Sequence, residues 1–223
     1  MEITDLIYKI FIKDGAWLTI SKGLWATVQI SALSLLFGTI LGSIICFFRV
    51  GKIKPLKIFA QGYISIVRGS PVLMLLMLLF YGVFARSGLD PITVAIITFS
   101  LHTAAHVAEL LRSSLMAVDR GQVEAARTLG FSKIQTFKLV VLPQILIIAK
   151  PVFQSTVINL IQWTSVVGYV TITDLTRVIN NIASRTMQPM ITIIGGMIIY
   201  LALSYTVQWI FHLTDKQRGG ETK

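Results

Sequence analysis

The sequence predicts an all-α integral membrane protein with about five transmembrane helices, and three observations support this class. Of its 223 residues, 54% are apolar and only 13% are charged, and the mean hydropathy is +0.75, which is too apolar for a soluble surface. The apolar residues fall in long runs, and a bilayer core roughly 30 Å thick needs about 20 of them per helical span. Turn-forming residues separate the runs. The chain therefore has room for about five spans in a single transmembrane domain, residues 1–223.

The five spans are expected approximately over residues 24–48, 63–84, 91–115, 139–161 and 190–213. Glycine, proline and aspartate occupy the connections, at Gly51, Pro55, Gly88, Asp90, Gly121 and Gly130. Within span one, Gly38 and Gly42 form a GxxxG pair, which is compatible with a close helix contact. The longest polar stretch, residues 116–138, joins spans three and four.

The positions of lysine and arginine predict how the chain is oriented, because positive residues in short loops stay on the cytoplasmic side. With the N-terminus outside, the cytoplasmic side holds the larger group: Arg49, Lys52, Lys54, Lys57, Arg112, Arg120, Arg127, Lys133, Lys138, Lys216, Arg218 and Lys223. The outer side holds the smaller group: Lys9, Lys13, Lys22, Arg86, Arg177 and Arg185. We therefore interpret the formal charge of +10 as a topology signal and expect no nucleic-acid partner.

The cytoplasmic loop over residues 116–138 has the pattern of a short, exposed helix. Asp119 is a suitable N-cap, helix-forming residues follow it, and Gly130 is a suitable C-terminal stop. The small side chains of Ala125 and Ala126 would let a groove of another protein approach the helix closely, and Glu124 carries a charge for pairing across that contact. The loop therefore predicts a helix that a cytoplasmic partner binds.

The run Glu124-Ala125-Ala126, followed by Gly130 and Leu142-Pro143, resembles the EAA coupling motif of ABC importer permeases. From about Gly23 onward the chain is similar to the polar amino-acid uptake family of bacterial cell-membrane permeases, through further matches at Arg68-Gly69-Ser70-Pro71, Ala108-Glu109, Arg112, Thr164-Ser165 and Gly168. The resemblance implies that Glu124, Ala125, Ala126 and Gly130 dock on a cytoplasmic ABC ATPase dimer. It also implies a second permease subunit, the same or similar, and an extracytoplasmic substrate-binding protein.

The chain lacks a phosphate-binding loop of its own. Such a loop reads G-x-x-x-x-G-K-S/T, but the Gly51-Lys52 pair has Cys46 at the first position and Ile53 at the last. We therefore expect no enzyme activity and no cofactor in this chain, with ATP and magnesium bound by the partner ATPase.

Ionisable residues within a span need a partner or a wet cavity, because burying a charge in lipid is costly. His102, His106 and Glu109 share one face of the third helix, and we interpret them as the lining of a substrate pathway. In the family, by resemblance, an acidic residue at this position meets the substrate's ammonium group. Two alternatives stay open: Glu109 pairs with Arg112 one turn away, or the two histidines and the carboxylate bind a metal.

After span four, Gln162, Trp163, Thr164 and Ser165 correspond to a family segment that usually reads Lys-Asp-Thr-Ser-Leu, and they are the other expected pathway residues. Gln162 and Trp163 depart from that pattern, and the loss of the acidic residue argues against a cationic substrate. Neutral polar amino acids such as glutamine, or cystine-like compounds, fit better, and a dicarboxylic amino acid stays open. Trp163 either covers the substrate or anchors the helix at the membrane interface.

Two other functions remain in competition with an ATP-driven importer. An ion-gradient-driven secondary transporter would be expected to show inverted repeats and more buried carboxylates. In a non-transporting membrane assembly protein, His102, His106 and Glu109 would serve packing and the polar loop would be a scaffold site. The sequence leaves open which amino acid is carried and whether the permease pairs with itself or with a sister subunit.

Overall fold

The computed structural model describes residues 8–12 and 15–216, and this part of the chain is almost entirely helical, without a β-strand. Lys13, Arg218 and Lys223, which entered the prediction of orientation, lie outside the described residues. The α-helices are α1 Ala16–Val50, α2 Lys54–Gly69, α3 Val72–Met77, α4 Pro91–Met116, α5 Arg120–Thr128, α6 Lys133–Thr136, α7 Leu142–Trp163, α8 Leu175–Thr186 and α9 Pro189–Lys216. Short π-helices lie at Tyr8–Ile12, Leu78–Val83 and Phe137–Val141, and a 3-10 helix lies at Thr164–Val170.

Four helical segments among the described residues are long and apolar enough to cross a membrane: Ala16–Val50, Pro91–Met116, Lys133–Val170 and Pro189–Thr214. The pair Lys54–Gly69 and Val72–Val83 forms a fifth candidate if it is counted as one broken span. The predicted class, an all-α protein with about five transmembrane helices, is therefore confirmed.

The second span differs from the expectation of one run over residues 63–84. Helix α2 begins already at Lys54 and ends at Gly69, and the chain bends by 108° before Val72–Val83. The cause is local, because Pro71 has no backbone N–H to continue the helix and it restricts the residue before it to extended geometry. Ser70 has φ −100° and ψ 138°, as this rule requires. A hydropathy window registers the apolar composition of the run but not the break within it.

The described residues group into two compact units. The first is built from the chain up to Leu35, from Pro71–Phe99 and from Val157 onward. Its core is a cluster around the fully buried Phe99, with Leu76, Leu160 and Val167 packed beside it. The start of α8 closes against α1, where the Leu175 backbone N–H donates to the Thr27 hydroxyl at 3.3 Å.

The second unit comprises Leu36–Ser70 and Ser100–Thr156. Gly38 and Gly42 allow α1 to approach α4 closely: a Cβ at Gly38 would lie 2.7 Å from Cβ of Thr103, and one at Gly42 would lie 2.7 Å from the carbonyl oxygen of Ala104. The close helix contact expected for the GxxxG pair is therefore confirmed. Beside it, Ile45, Ala60, Ile64, Ala104 and Ala108 form a buried cluster.

Candidate functional site

The polar loop between spans three and four contains the short helix that its sequence predicts. Helix α5 runs from Arg120 to Thr128, and Asp119 caps it by accepting a hydrogen bond from the Gly121 N–H at 2.9 Å. At the other end Gly130 has φ +86°, in the left-handed region that favours glycine. The Phe131 N–H then donates to the Ala126 carbonyl at 3.1 Å and closes the turn. The expected N-cap and glycine stop are both confirmed.

The four residues of the EAA motif are not equally accessible. Glu124, Ala125 and Gly130 are exposed, but the Ala126 side chain is only 5% exposed and faces its own subunit. We therefore correct the expectation that both alanines are available to a partner, since only Ala125 of the two is exposed. Successive helical residues are about 100° apart around the axis, so Ala126 can face its own protein while the adjacent Ala125 remains exposed.

Helix α5 is anchored to the ends of the neighbouring spans. Val123 and Leu115 pack against the buried cluster of Val118, Val141 and Ile145. A side-chain amide bond adds to this, because Gln144 Nε2 donates to Gln122 Oε1 at 2.6 Å. A displacement of α5 would therefore be transmitted to the ends of α4 and α7.

The carboxylate of Glu109 is paired within its own helix. Arg112 Nε donates to Glu109 Oε2 at 2.9 Å, and Arg112 Nη2 donates to Oε1 at 2.5 Å. Both side chains keep about a quarter of their surface exposed, 26% for Glu109 and 23% for Arg112. The ion pair anticipated as one of two alternatives is therefore present, and both side chains stay partly exposed.

The two histidines of the same stripe lie one turn apart on α4, with ring centroids 4.9 Å apart. His102 is buried and His106 is partly buried. Arg68, at the end of α2, is near enough to interact electrostatically with both His106 and Glu109. Within the part of the chain that the structure describes, no three His, Cys, Asp or Glu residues come together as a metal site. The metal alternative therefore gains no support.

The segment after span four belongs to the first unit and divides into two environments. The Thr164 side chain is fully buried, and its hydroxyl donates to the Ile161 carbonyl at 2.7 Å, so Thr164 shapes the turn into the 3-10 helix. Trp163 is partly buried and packs against the core around Phe99. Gln162 is exposed and Ser165 is partly exposed. Of the four, Gln162 lines a cavity in the first unit.

This cavity has a volume of about 520 Å³, within the range of small-molecule sites, and it lies along α8 and α9. Its polar lining residues are Gln162, Thr176, Asn180, Tyr200 and Ser204. The Thr176 and Tyr200 hydroxyls are 2.8 Å apart and hold the two helices together. The sequence did carry a signal for this face, because Gly196, Tyr200 and Ser204 recur every four residues in a largely apolar span.

The fold and these features agree with comparisons to known proteins. Residues 22–219 match the family described as binding-protein-dependent transport system inner membrane component. Two relatives in Bacillus subtilis are L-cystine transport system permease proteins: TcyB is 31% identical over 92% of this chain and 89% of its own length, and TcyL is 33% identical over 89% of this chain and 87% of its own. The nopaline transport system permease protein NocM of Agrobacterium fabrum is 30% identical over 85% of this chain and 83% of its own.

Solved structures show the same architecture. The crystal structure of an amino acid ABC transporter with histidines superposes with a TM-score of 0.83 at 26% identity, covering 97% of this chain and 99% of that one. An inward-facing MetNI methionine ABC transporter matches in fold, with a TM-score of 0.76 at 20% identity over 92% of this chain and 99% of that one. These likenesses favour an ABC importer over an ion-gradient-driven transporter. The chain therefore belongs to the inner membrane components of binding-protein-dependent transport systems, among the permease subunits of amino-acid ABC importers.

Proposed function

We propose that this chain, as one transmembrane permease domain over residues 1–223, forms the pathway for a polar amino acid and couples it to ATP hydrolysis on a separate subunit. The observation that carries the proposal is α5, a capped helix with Glu124 and Ala125 exposed and with its opposite side packed on the ends of two spans. Such a helix meets a partner on one side and transmits its movement to the membrane helices on the other.

The partners follow from this role. An ABC ATPase dimer in the cytoplasm would bind α5, a substrate-binding protein would deliver the amino acid from the other side, and a second permease subunit, identical or similar, would complete the pathway. The orientation consistent with this assembly has the N-terminus outside and the C-terminus in the cytoplasm, which also agrees with the distribution of lysine and arginine. ATP and magnesium would be bound by the ATPase subunits.

For the substrate we propose a neutral polar amino acid of the cystine or glutamine kind. Within the second unit, Glu109 would attract the ammonium group, with His102 and His106 beside it. Gln162 is a separate expected pathway residue, in the cavity of the first unit along α8 and α9. The presence of Gln162 and Trp163 leaves no side-chain carboxylate at these two positions to hold a cationic substrate. Two relatives named as L-cystine permeases point in the same direction.

The experiment that tests this function reconstitutes the chain with its ATPase and binding protein in proteoliposomes. It measures ATP-dependent uptake of labelled cystine, glutamine, glutamate and arginine. Uptake of a neutral amino acid that requires ATP supports the proposal. Uptake that persists without ATP, or that needs an ion gradient, would overturn it.

The coupling step needs its own variant. Ala125→Arg places a bulky charged side chain on the exposed face of α5 without disturbing buried atoms, and it should abolish ATP-driven uptake while the chain still inserts. Ala117→Arg is the matched control, because Ala117 is also exposed in the same loop but precedes the helix. If both variants transport equally well, α5 does not engage the ATPase.

A further inference from the structure

A second cavity, distinct from the one along α8 and α9, lies beside α5 and has the composition of a binding site for an anion. It has a volume of about 460 Å³ and is entirely within the second unit. Three cations line it, Arg120, Arg127 and Lys133, and no carboxylate is among the described residues of its lining. Below them lies an apolar floor that includes Val118 and Val141, both buried. A cationic rim over an apolar floor suits a ligand with a negative group and a hydrocarbon part.

The position of the cavity indicates that the hydrocarbon part of the ligand is a lipid acyl chain. Met116 ends one candidate span and Lys133 begins the next, and the short loop between them keeps both ends at the same face of the membrane. The cavity thus opens at the boundary between lipid and water. Two of its lining side chains, Met116 at 72% and Phe137 at 47%, are largely exposed although they are apolar, as expected for side chains that meet acyl chains.

The three cations of the cavity favour an anionic lipid headgroup over a zwitterionic one. Within the loop, Arg127 already donates from Nη1 to the Phe131 carbonyl at 2.7 Å, which fixes the guanidinium while leaving its other N–H groups to a ligand. Arg120 and Lys133 are exposed at the first residues of α5 and α6. Guanidinium and ammonium groups bind phosphate oxygens well, and they would repel the cationic end of a zwitterionic headgroup.

We propose that this cavity binds the phosphate-bearing headgroup of an anionic phospholipid, which fastens α5 to the ends of the two spans. The lipid site stands independently of the proposed transport function. Its consequence for coupling rests on that function, because a bound lipid would stiffen the link between α5 and the membrane helices.

The test counts lipid molecules retained by the purified full chain in native mass spectrometry during titration with phosphatidylglycerol or phosphatidylcholine. The wild type should retain phosphatidylglycerol in preference to phosphatidylcholine. A cation at a membrane surface contributes roughly a fivefold factor to binding an anionic lipid, so Arg120→Gln with Lys133→Gln should weaken retention about 30-fold. Both side chains are exposed, so the variant should fold, and an unchanged melting temperature verifies this.

The matched control is Lys52→Gln with Lys57→Gln, which removes the same charge from exposed lysines elsewhere on the second unit. It should leave retention of phosphatidylglycerol unchanged. Equal weakening by both pairs would mean general attraction of a basic protein to anionic lipid, and would overturn the site. Equal retention of the two lipids by the wild type would also overturn it.

Two further outcomes separate other sources of the same chemistry. If millimolar inorganic phosphate raises the melting temperature of the wild type but not of the Arg120 and Lys133 variant, while phosphatidylglycerol is retained no better than phosphatidylcholine, the cavity binds free phosphate and the lipid proposal fails. If the Arg120 and Lys133 variant retains lipid normally but loses the ATPase subunit, the cavity is a protein contact and the lipid proposal fails as well. Because the lipid titration uses the permease alone, its failure is distinguishable from a failure of the proposed transport function.

Discussion

Arg112 binds both carboxylate oxygens of Glu109 from one helical turn away, at 2.9 Å from Nε to Oε2 and 2.5 Å from Nη2 to Oε1. The pair lowers the cost of placing a carboxylate near the end of a span. Because about a quarter of each side chain remains exposed, pairing with Arg112 and contact with a substrate are compatible. The arginine holds the carboxylate in a fixed position, and a substrate ammonium group would approach the exposed part of the Glu109 side chain.

The first prediction concerns this carboxylate. Glu109→Gln keeps the shape but removes the charge, and loss of one charge-assisted hydrogen bond to the substrate should raise the KM of uptake about tenfold. Arg112→Lys, which keeps a cation beside the carboxylate, should change KM much less. The measurement is the concentration dependence of ATP-driven uptake. A Glu109→Gln chain that melts earlier but transports with normal KM would show that the pair serves only packing.

The second prediction concerns the contact between α1 and α4. Gly42→Ala would bring a Cβ within 2.7 Å of the Ala104 carbonyl oxygen and 2.8 Å of Val107 Cβ, so the helices must separate. We expect a loss of about 1–3 kcal/mol of stability, as for other overpacked cores. Gly62→Ala is the control, since no atom lies within 4 Å of its Cβ and alanine favours a helix over glycine. Thermal unfolding in detergent should rank Gly62→Ala at or above wild type and Gly42→Ala well below it.

The third prediction separates backbone strain from coupling. Gly130 and Gly88 have similar positive φ values, +86° and +72°, and a Cβ added at either position would have no neighbouring atom within 4 Å. Alanine at either site should therefore introduce comparable strain of about 1–2 kcal/mol. We expect Gly130→Ala to reduce ATP-driven uptake several-fold, because it distorts the end of α5, and Gly88→Ala to leave uptake near normal. Equal losses of uptake would argue that Gly130 has no special part in coupling.

The fourth prediction uses two adjacent asparagines on α8. Asn180 lines the cavity that also contains Gln162 and Tyr200, whereas Asn181 is outside that lining. If the cavity takes part in substrate binding, Asn180→Ala should raise the KM of uptake, and Asn181→Ala should leave it unchanged. Both variants should melt like the wild type because both side chains are exposed. Identical KM values for the two variants would remove the cavity from the pathway.

Much of the fold could be predicted because its signals are local. Apolar runs mark spans through their length, and Asp119 and Gly130 mark the ends of α5 through cap chemistry that needs only neighbouring residues. The second span was harder to predict, because Pro71 breaks a run whose composition is apolar throughout. Hydropathy is averaged over a window of residues, so it does not detect a helix break caused by the single N–H group that proline lacks.

The side-chain contacts of the candidate site were also harder to predict than the local structure around them. Periodicity placed His102, His106 and Glu109 on one face, but both pairing and pathway lining were possible until the Arg112 side chain was located. Tyr200 and Thr176 are 24 positions apart, and their contact depends on how α9 packs on α8. Tertiary packing also turned Ala126 inward while leaving Ala125 exposed.

The sequence by itself determined the membrane class, the approximate spans, the position of α5 and the absence of a phosphate-binding loop at Gly51-Lys52, because composition, periodicity and cap residues act over a few neighbours. Only the tertiary structure decided the break at Pro71, the pairing of Glu109, the cavity around Asn180 and Tyr200, and the cationic cavity beside α5. These features depend on where side chains and helix ends come to lie in space. Their positions follow from how the helices pack, which no local pattern specifies.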